Sequence, residues 1–338
     1  MSARPYGGGE SSREEGFTLV EFMVSLVLGA VLISGAVSVY LASSRAYQET
    51  ESSIGLADNG RFALQFINDA LRRAGFFAGV SIQDVVTDSN LGAVGSDCTG
   101  RGAAYDIDNY LFAAAADGSG NLFGCITDAV PGSDVLVVKA LRAAPLYDAD
   151  PNNAAAARDG AISYPSAMDA QTTYVVASTE NAMLLDGADA APDVSDGKLY
   201  AKAAAWPYSF QAFYVRSGAI PSLVRKTLAW DSGAGGMVVT TEELVQGVEQ
   251  IRFRFGWDGN DDGEIDQFGS HSAVGSNWDA VGVIETYMLL RSINADYSYD
   301  NVKTYTLGDV SVTASDNYWR LLVNSSITMR NPSLYIRG

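Results

Sequence analysis

Six carboxyl or amide side chains fall within the nine residues from Asp258 to Asp266, spaced as D-x-N-x-D-G-x-I-D. In a calcium loop, side-chain oxygens at alternating positions converge on the ion, a glycine permits the sharp turn, and the position after it supplies a backbone carbonyl. On this pattern Asp258, Asn260 and Asp262 are side-chain ligands, Glu264 is the carbonyl donor, and Asp266 is a ligand directly or through water. Gly269 stands where an EF-hand has its bidentate glutamate, so the set needs a further donor from elsewhere in the chain. An acidic hairpin turn without an ion is the other reading. Crowding of negative charge favours Ca2+, bound with the weak affinity of extracellular modules.

Other chemistry is sparse. His271 is the only histidine and sits in a polar Gly269–Ser276 stretch, which predicts a loop residue rather than a general base. A serine or cysteine triad of the usual type would have to use it. The glycine-rich stretches lack the strand–turn–helix setting of a phosphate loop, so the chain does not read as an enzyme. Cys98 and Cys125 are the only cysteines: they form one disulfide at most, and a zinc site would need more ligands than they and His271 readily supply. A bond closing a loop of that length would stabilise the fold by roughly 3–4 kcal/mol; two buried free thiols are the alternative.

One acid lies in an unusual place. From Phe17 to Ala42 the chain carries a single charge, Glu21, in an otherwise apolar run, long enough to cross a hydrocarbon core of roughly 30 Å as a helix. A carboxylate there is expensive unless paired, which makes Glu21 a functional residue by default. An ordinary secretory signal ends its apolar region with a small-x-small cleavage site. Here the candidate cleavage point, Gly16–Phe17, precedes the apolar run and follows a polar leader.

These residues need a framework. Between Ser43 and Ala74 there is no proline, and Ala63, Phe66, Ile67, Ala70 and Ala74 recur at helical spacing. One helix from Phe17 to about Ala74 is therefore predicted, roughly 85 Å long at 1.5 Å per residue. Phe62 and Phe66 share a face and are expected to pack in the core. Arg72 and Arg73 suit the helix C-terminus and Gly75 its stop. Beyond Gly75, β-branched and aromatic runs bounded by turn residues predict strands at 134–141, 172–177, 209–215, 222–228, 236–241, 248–255, 281–292, 304–313 and 318–329. The stretches 143–160 and 186–197 read as surface insertions. The fold class is α+β, a long helix packed on an antiparallel β head. The segments are 1–16 (leader), 17–42 (membrane helix), 43–75 (amphipathic continuation) and 76–338 (head, with insertions around 79–235).

The chain's 40 acidic and 22 basic residues give a formal net charge of −18, which argues against nucleic-acid binding and for a solvated acidic surface. The membrane segment places the head outside the cytoplasm and so favours the disulfide over free thiols.

Gly16-Phe17-Thr18-Leu19-Val20-Glu21 resembles the class III signal of type IV prepilins. The resemblance implies that a prepilin peptidase cuts between Gly16 and Phe17 and N-methylates Phe17, and that Glu21 pairs with the terminal ammonium of a neighbouring subunit. Gly60-Arg61-Phe62-Ala63-Leu64, Leu71-Arg72-Arg73-Ala74-Gly75-Phe76, Gly132–Val138, Glu243–Glu249, Leu289–Ser292 and Ile327–Asn331 are similar to segments of the PilW minor pilins. That family implies a subunit that primes pilus assembly at the tip, with other minor pilins, the major pilin, the inner-membrane assembly platform and a tip adhesin as partners. It would be held in the bacterial inner membrane with its head in the periplasm before reaching the pilus tip. A J-class pseudopilin of type II secretion and a membrane-anchored periplasmic calcium-binding module are the alternatives.

Overall fold

A computed structural model describes residue 16 and residues 18–153, 155–260 and 262–331. The leader up to residue 15, Phe17, Ala154, Asp261 and residues 332–338 lie outside the described residues. The chain divides into two compact units, residues 1–52 and 53–338.

Helix α1 runs Leu19–Arg73. In the first unit it is predominantly apolar as far as Ala42, with Glu21 the one charge, and large side chains such as Phe22, Leu32 and Val39 are exposed. Its composition and length suffice to cross a membrane. In the second unit one face is buried, with Leu56, Ala63, Ile67, Ala70, Leu71 and Ala74 all below one-tenth exposed. Those positions recur at helical period, and three of the six are alanine. Gly60 lets the backbone come close to the sheet: a Cβ there would sit 3.0 Å from Val323 Cγ1 and 3.3 Å from Leu290 Cδ1. The helix ends where predicted, with Gly75 at φ +71°, a conformation that glycine adopts without a Cβ penalty.

Phe62 and Phe66 do not join that core. They are 59% and 38% exposed, because the sheet selects the face that carries Ala63 and Ile67, one position further round the helix. Rings at the contact would hold the helix off Val323 and Leu290. The expectation of plain core packing for this pair is thus corrected.

The first sheet contains β1 (Val85–Thr87), β2 (Leu111–Ala115), β3 (Asp134–Leu141), β4 (Thr173–Ala177), β5 (Ala182–Asp186), β6 (Ala204–Arg216), β7 (Ser222–Asp231) and β8 (Gly236–Gln246). Its backbone order is β1-β5-β4-β6-β3-β2, with β7 on β6 and β8 on β7. The long β6 makes this possible. Its start pairs with β4 (Val175↔Trp206), its middle with β3 (Val138↔Gln211) and its end with β7 (Phe213↔Arg225). Pairing is antiparallel except β1 on β5.

The second sheet, order β10-β9-β11-β14, is built of β9 (Val248–Trp257), β10 (Gln267–Gly269), β11 (Val281–Arg291) and β14 (Arg320–Thr328), all antiparallel. Short helix α2 (His271–Val274) follows β10, and a hairpin of β12 (Thr304–Leu307) and β13 (Val310–Thr313) precedes β14. Buried side chains of β9 and β11, including Phe253, Phe255, Ile284 and Met288, join those of α1 and the first sheet in one core.

The stretches expected to be surface insertions contribute to a second core. Leu146 and Val194 are buried with Ile162, Tyr174, Val176 and Tyr200. Scattered apolar residues in alanine-, aspartate- and glycine-rich sequence carry no periodic signal, and they meet only because β4, β5 and β6 place them together.

Candidate functional site

The amino-terminal end of α1 is closed by Thr18 and Glu21. The Thr18 amide and hydroxyl both donate to Glu21 Oε2, at 3.0 and 2.8 Å, and the Glu21 amide reaches the Thr18 hydroxyl at 3.3 Å. This is a reciprocal capping box: the N-cap threonine and the third helical residue each satisfy an amide that would otherwise lack a partner. The signal is present in sequence as Thr-x-x-Glu ahead of an apolar run. Glu21 is exposed and makes its described side-chain bonds only to Thr18. Gly16 is also exposed; Phe17, the expected methylation position, lies outside the described residues.

Cys98 and Cys125 are joined in a disulfide, closing a loop packed on β3. That loop is held a second time. Lys139, fully buried in β3, donates from Nζ to the carbonyls of Arg101 at 3.2 Å and of Asp106. Burial pushes the Lys139 ammonium down to about 8, and the nearby Asp106, Asp97 and Asp108 only partly oppose this. The lysine was missed in sequence, where a charge near the end of an apolar run reads as the exposed end of a strand.

The acidic residues 258–266 fold into a tight loop after β9. Asp258, 6% exposed, takes the amides of Asn260 (3.1 Å) and Asp262 (3.3 Å) on Oδ1 and that of Gly263 (2.6 Å) on Oδ2. Asn260 Nδ2 donates to Asp262 Oδ2, and the Glu264 amide to Asp262 Oδ1. Asp266 reaches back to the Gly259 amide at 2.8 Å. Gly263, at φ +86°, makes the turn. Asp258, Asn260 and Asp262 thus come together, and Asp266 faces the loop's start. Among the described residues no group of three or more histidine, cysteine or carboxylate side chains is close enough to hold a metal. The donors here are carboxylate, amide and carbonyl oxygens, the hard set that suits Ca2+ rather than a transition metal.

His271 is not the loop residue expected. It opens α2 at one-fifth side-chain exposure, with Nδ1 3.5 Å from Oδ1 of the buried Asp134. Asp134 also binds Arg252 Nη1 at 2.7 Å and the Phe253 amide at 2.9 Å. The histidine is thereby drawn to a charge pair that ties β3 to β9. Polar neighbours in sequence conceal this, since Asp134 lies over a hundred positions away.

Two family models match. Residues 212–331, from the end of β6 through β14, match the type IV pilus-assembly protein W family. Residues 11–37 match the prokaryotic N-terminal methylation motif. No curated protein and no solved structure matches the chain. The apolar α1, the β head and the methylation motif fit a membrane-anchored pilin. Together the two matches, one over the start of α1 and one from the end of β6 through the second sheet, make the chain similar to a PilW-like type IV pilin over those segments.

Proposed function

We propose that this chain is a minor pilin that works as a structural subunit of a tip complex priming type IV pilus assembly. The observation that carries the reading is the coexistence of a methylation motif at residues 11–37 with a PilW match at 212–331. Prepilin peptidase cuts between Gly16 and Phe17 and methylates the new terminus. The chain then waits in the inner membrane, head in the periplasm, until it joins other minor pilins, the major pilin and a tip adhesin on the assembly platform. Glu21 exchanges its Thr18 bonds for the terminal ammonium of a neighbour, which offsets the cost of its charge in an apolar setting.

Mass spectrometry of the chain from cells with active peptidase tests the first step, with N-methylated Phe17 expected. An intact leader would refute it. Deleting the gene should abolish or sharply reduce surface pili. Normal piliation with impaired type II secretion would instead favour the J-class pseudopilin.

We further propose that the 258–266 loop binds one Ca2+ through Asp258, Asn260, Asp262, the Glu264 carbonyl and Asp266. The alternation of oxygens and the Gly263 turn support it. Calorimetric titration of the full chain in detergent should give saturable heat at millimolar Ca2+, lost in Asp258→Asn. Absence of both heat and thermal stabilisation would leave the loop as an acidic turn.

A further inference from the structure

Two cavities adjoin on the first sheet. The larger, about 330 Å³, is lined by Arg73, Arg142, Ser209, Gln211, Arg225 and Thr227 among others. The smaller, about 130 Å³, shares Arg142, Ser209 and Thr227 with it and extends the cleft toward Gln171 and Thr172. Together they reach the size range of small-ligand sites, roughly 300–1,000 Å³.

The charge of this cleft is opposite to that of the chain. With 40 acidic residues against 22 basic ones, a surface concavity would ordinarily collect carboxylates. Here three arginines line the walls, and neither cavity has an aspartate or glutamate in its lining. The arginines come from three separate places: the end of α1, the residue after β3, and β7. Arg225 is held in place, its guanidinium donating to Glu242 Oε2 and to Gln211 Oε1. Arg73 and Arg142 are exposed and have no side-chain partner among the described residues. Two guanidiniums left free beside a third form a receptor for a planar oxyanion, which arginine binds in a bidentate manner.

The floor is neutral and rich in hydrogen-bonding groups. Ser209 and Gln211 are 6% and 7% exposed, and Gln211 Nε2 donates to Ser209 Oγ at 3.2 Å. Hydroxyl and amide side chains fixed beside guanidiniums suit a ligand with alcohol groups next to its negative charge. A bare anion would use only the arginines. We propose that this cleft binds an acidic sugar, with the carboxylate between Arg73 and Arg142 and ring hydroxyls on Ser209, Gln211 and Thr227. The inference rests on the cleft itself and does not depend on the tip role.

The test is calorimetry and thermal unfolding of the full chain in detergent micelles, with D-glucuronate, D-glucose, inorganic phosphate and an oligoglutamate peptide as probes. Glucuronate should bind saturably, at least about tenfold more tightly than glucose, phosphate or the peptide. Arg142→Gln should weaken it about tenfold, and weaken it further when combined with Arg73→Gln. Both arginines are exposed and unpaired, so the ligand-free variants should melt with the parent; Thr227→Val provides a second, milder probe if they do not. Glucuronate binding no better than glucose would overturn the proposal, as would unchanged affinity in the double variant. Equal affinity for phosphate would mean a bare anion site, and equal affinity for the peptide an acidic protein partner; either result overturns the sugar assignment.

Discussion

Glu21 Oε2 accepts hydrogen bonds from both the amide and the hydroxyl of Thr18. One carboxylate therefore has two tasks, closing its own helix and, in the proposed filament, meeting a neighbour's ammonium. The tasks make different demands. A helix cap needs an acceptor oxygen, which glutamine also has, whereas ammonium pairing needs the charge.

Substitution separates the two. Glu21→Gln keeps the cap and should be processed normally yet enter sheared filaments poorly. Thr18→Ala removes the cap, at about 1 kcal/mol, and should enter filaments nearly as well as the parent. Immunoblots of sheared pili against total cell protein supply the readout. Full incorporation of Glu21→Gln would show that the charge is dispensable.

The helix face against the sheet gives a second contrast. Phe62 points outward, while Ala63, its neighbour, is fully buried. Phe62→Ser should move stability by no more than about 0.5 kcal/mol. Ala63→Leu must overpack the helix–sheet contact and should cost about 1–3 kcal/mol. Thermal unfolding in detergent distinguishes these; a large loss in Phe62→Ser would place the ring in the core after all.

Much of this architecture is legible in the sequence, and the exceptions share a cause. Strands such as Asp134–Leu141 and Val281–Arg291 announce themselves through β-branched and aromatic runs, and the apolar segment around Glu21 through its length. Strand β2, Leu111–Ala115, is mostly alanine and has little intrinsic strand preference; it is a strand because it pairs with β3. Strand β1 exists only as a parallel partner of β5. At the candidate sites, spacing placed Asp258, Asn260 and Asp262 together because turn geometry is local. The proximity of His271 to Asp134, and of Lys139 to the disulfide loop, depends on tertiary placement that no local pattern encodes.

Arg320 offers a third test. From the start of β14 it forms paired bonds to Glu249, at 2.6 and 2.8 Å, and to Asp316, at 2.6 and 2.7 Å. Its side chain is 4% exposed. The Arg320 bonds hold the Asp316 carboxyl below its ordinary value and hold Arg320 itself charged at any accessible pH. Arg320→Met leaves two carboxylates facing each other and should cost roughly 2–3 kcal/mol at pH 7, since both retain some access to water. Because the Asp316 value is lowered, its contribution is present above the unfolded value and fades as pH falls through the folded one. The gap between parent and variant in melting temperature should therefore narrow below about pH 4. A constant gap from pH 7 to pH 3 would mean that packing, not charge, is what Arg320 supplies.

Lys139 gives the opposite pH dependence. Its folded value is about 8, against 10.5 for the free side chain. Below the folded value both states carry the proton, and the native state bears the whole cost of the buried ammonium. Between about 8 and 10.5 the unfolded chain still holds the proton while the folded one has released it, so stability rises with pH across that window. The rise attributable to this one group is on the order of 3 kcal/mol, or several degrees in melting temperature for a domain of this size. Lys139→Met removes it. At pH 7 the variant loses two hydrogen bonds to the disulfide loop but no longer buries a charge, so it should melt close to the parent. At pH 10 the parent should be clearly the more stable, and because Lys226 and the buried tyrosines titrate in both proteins, the difference between the two curves isolates Lys139. Parallel curves from pH 7 to pH 10 would show that the buried amine keeps an ordinary affinity for its proton, and that its bonds to the Arg101 and Asp106 carbonyls are enough to hold the charge in place.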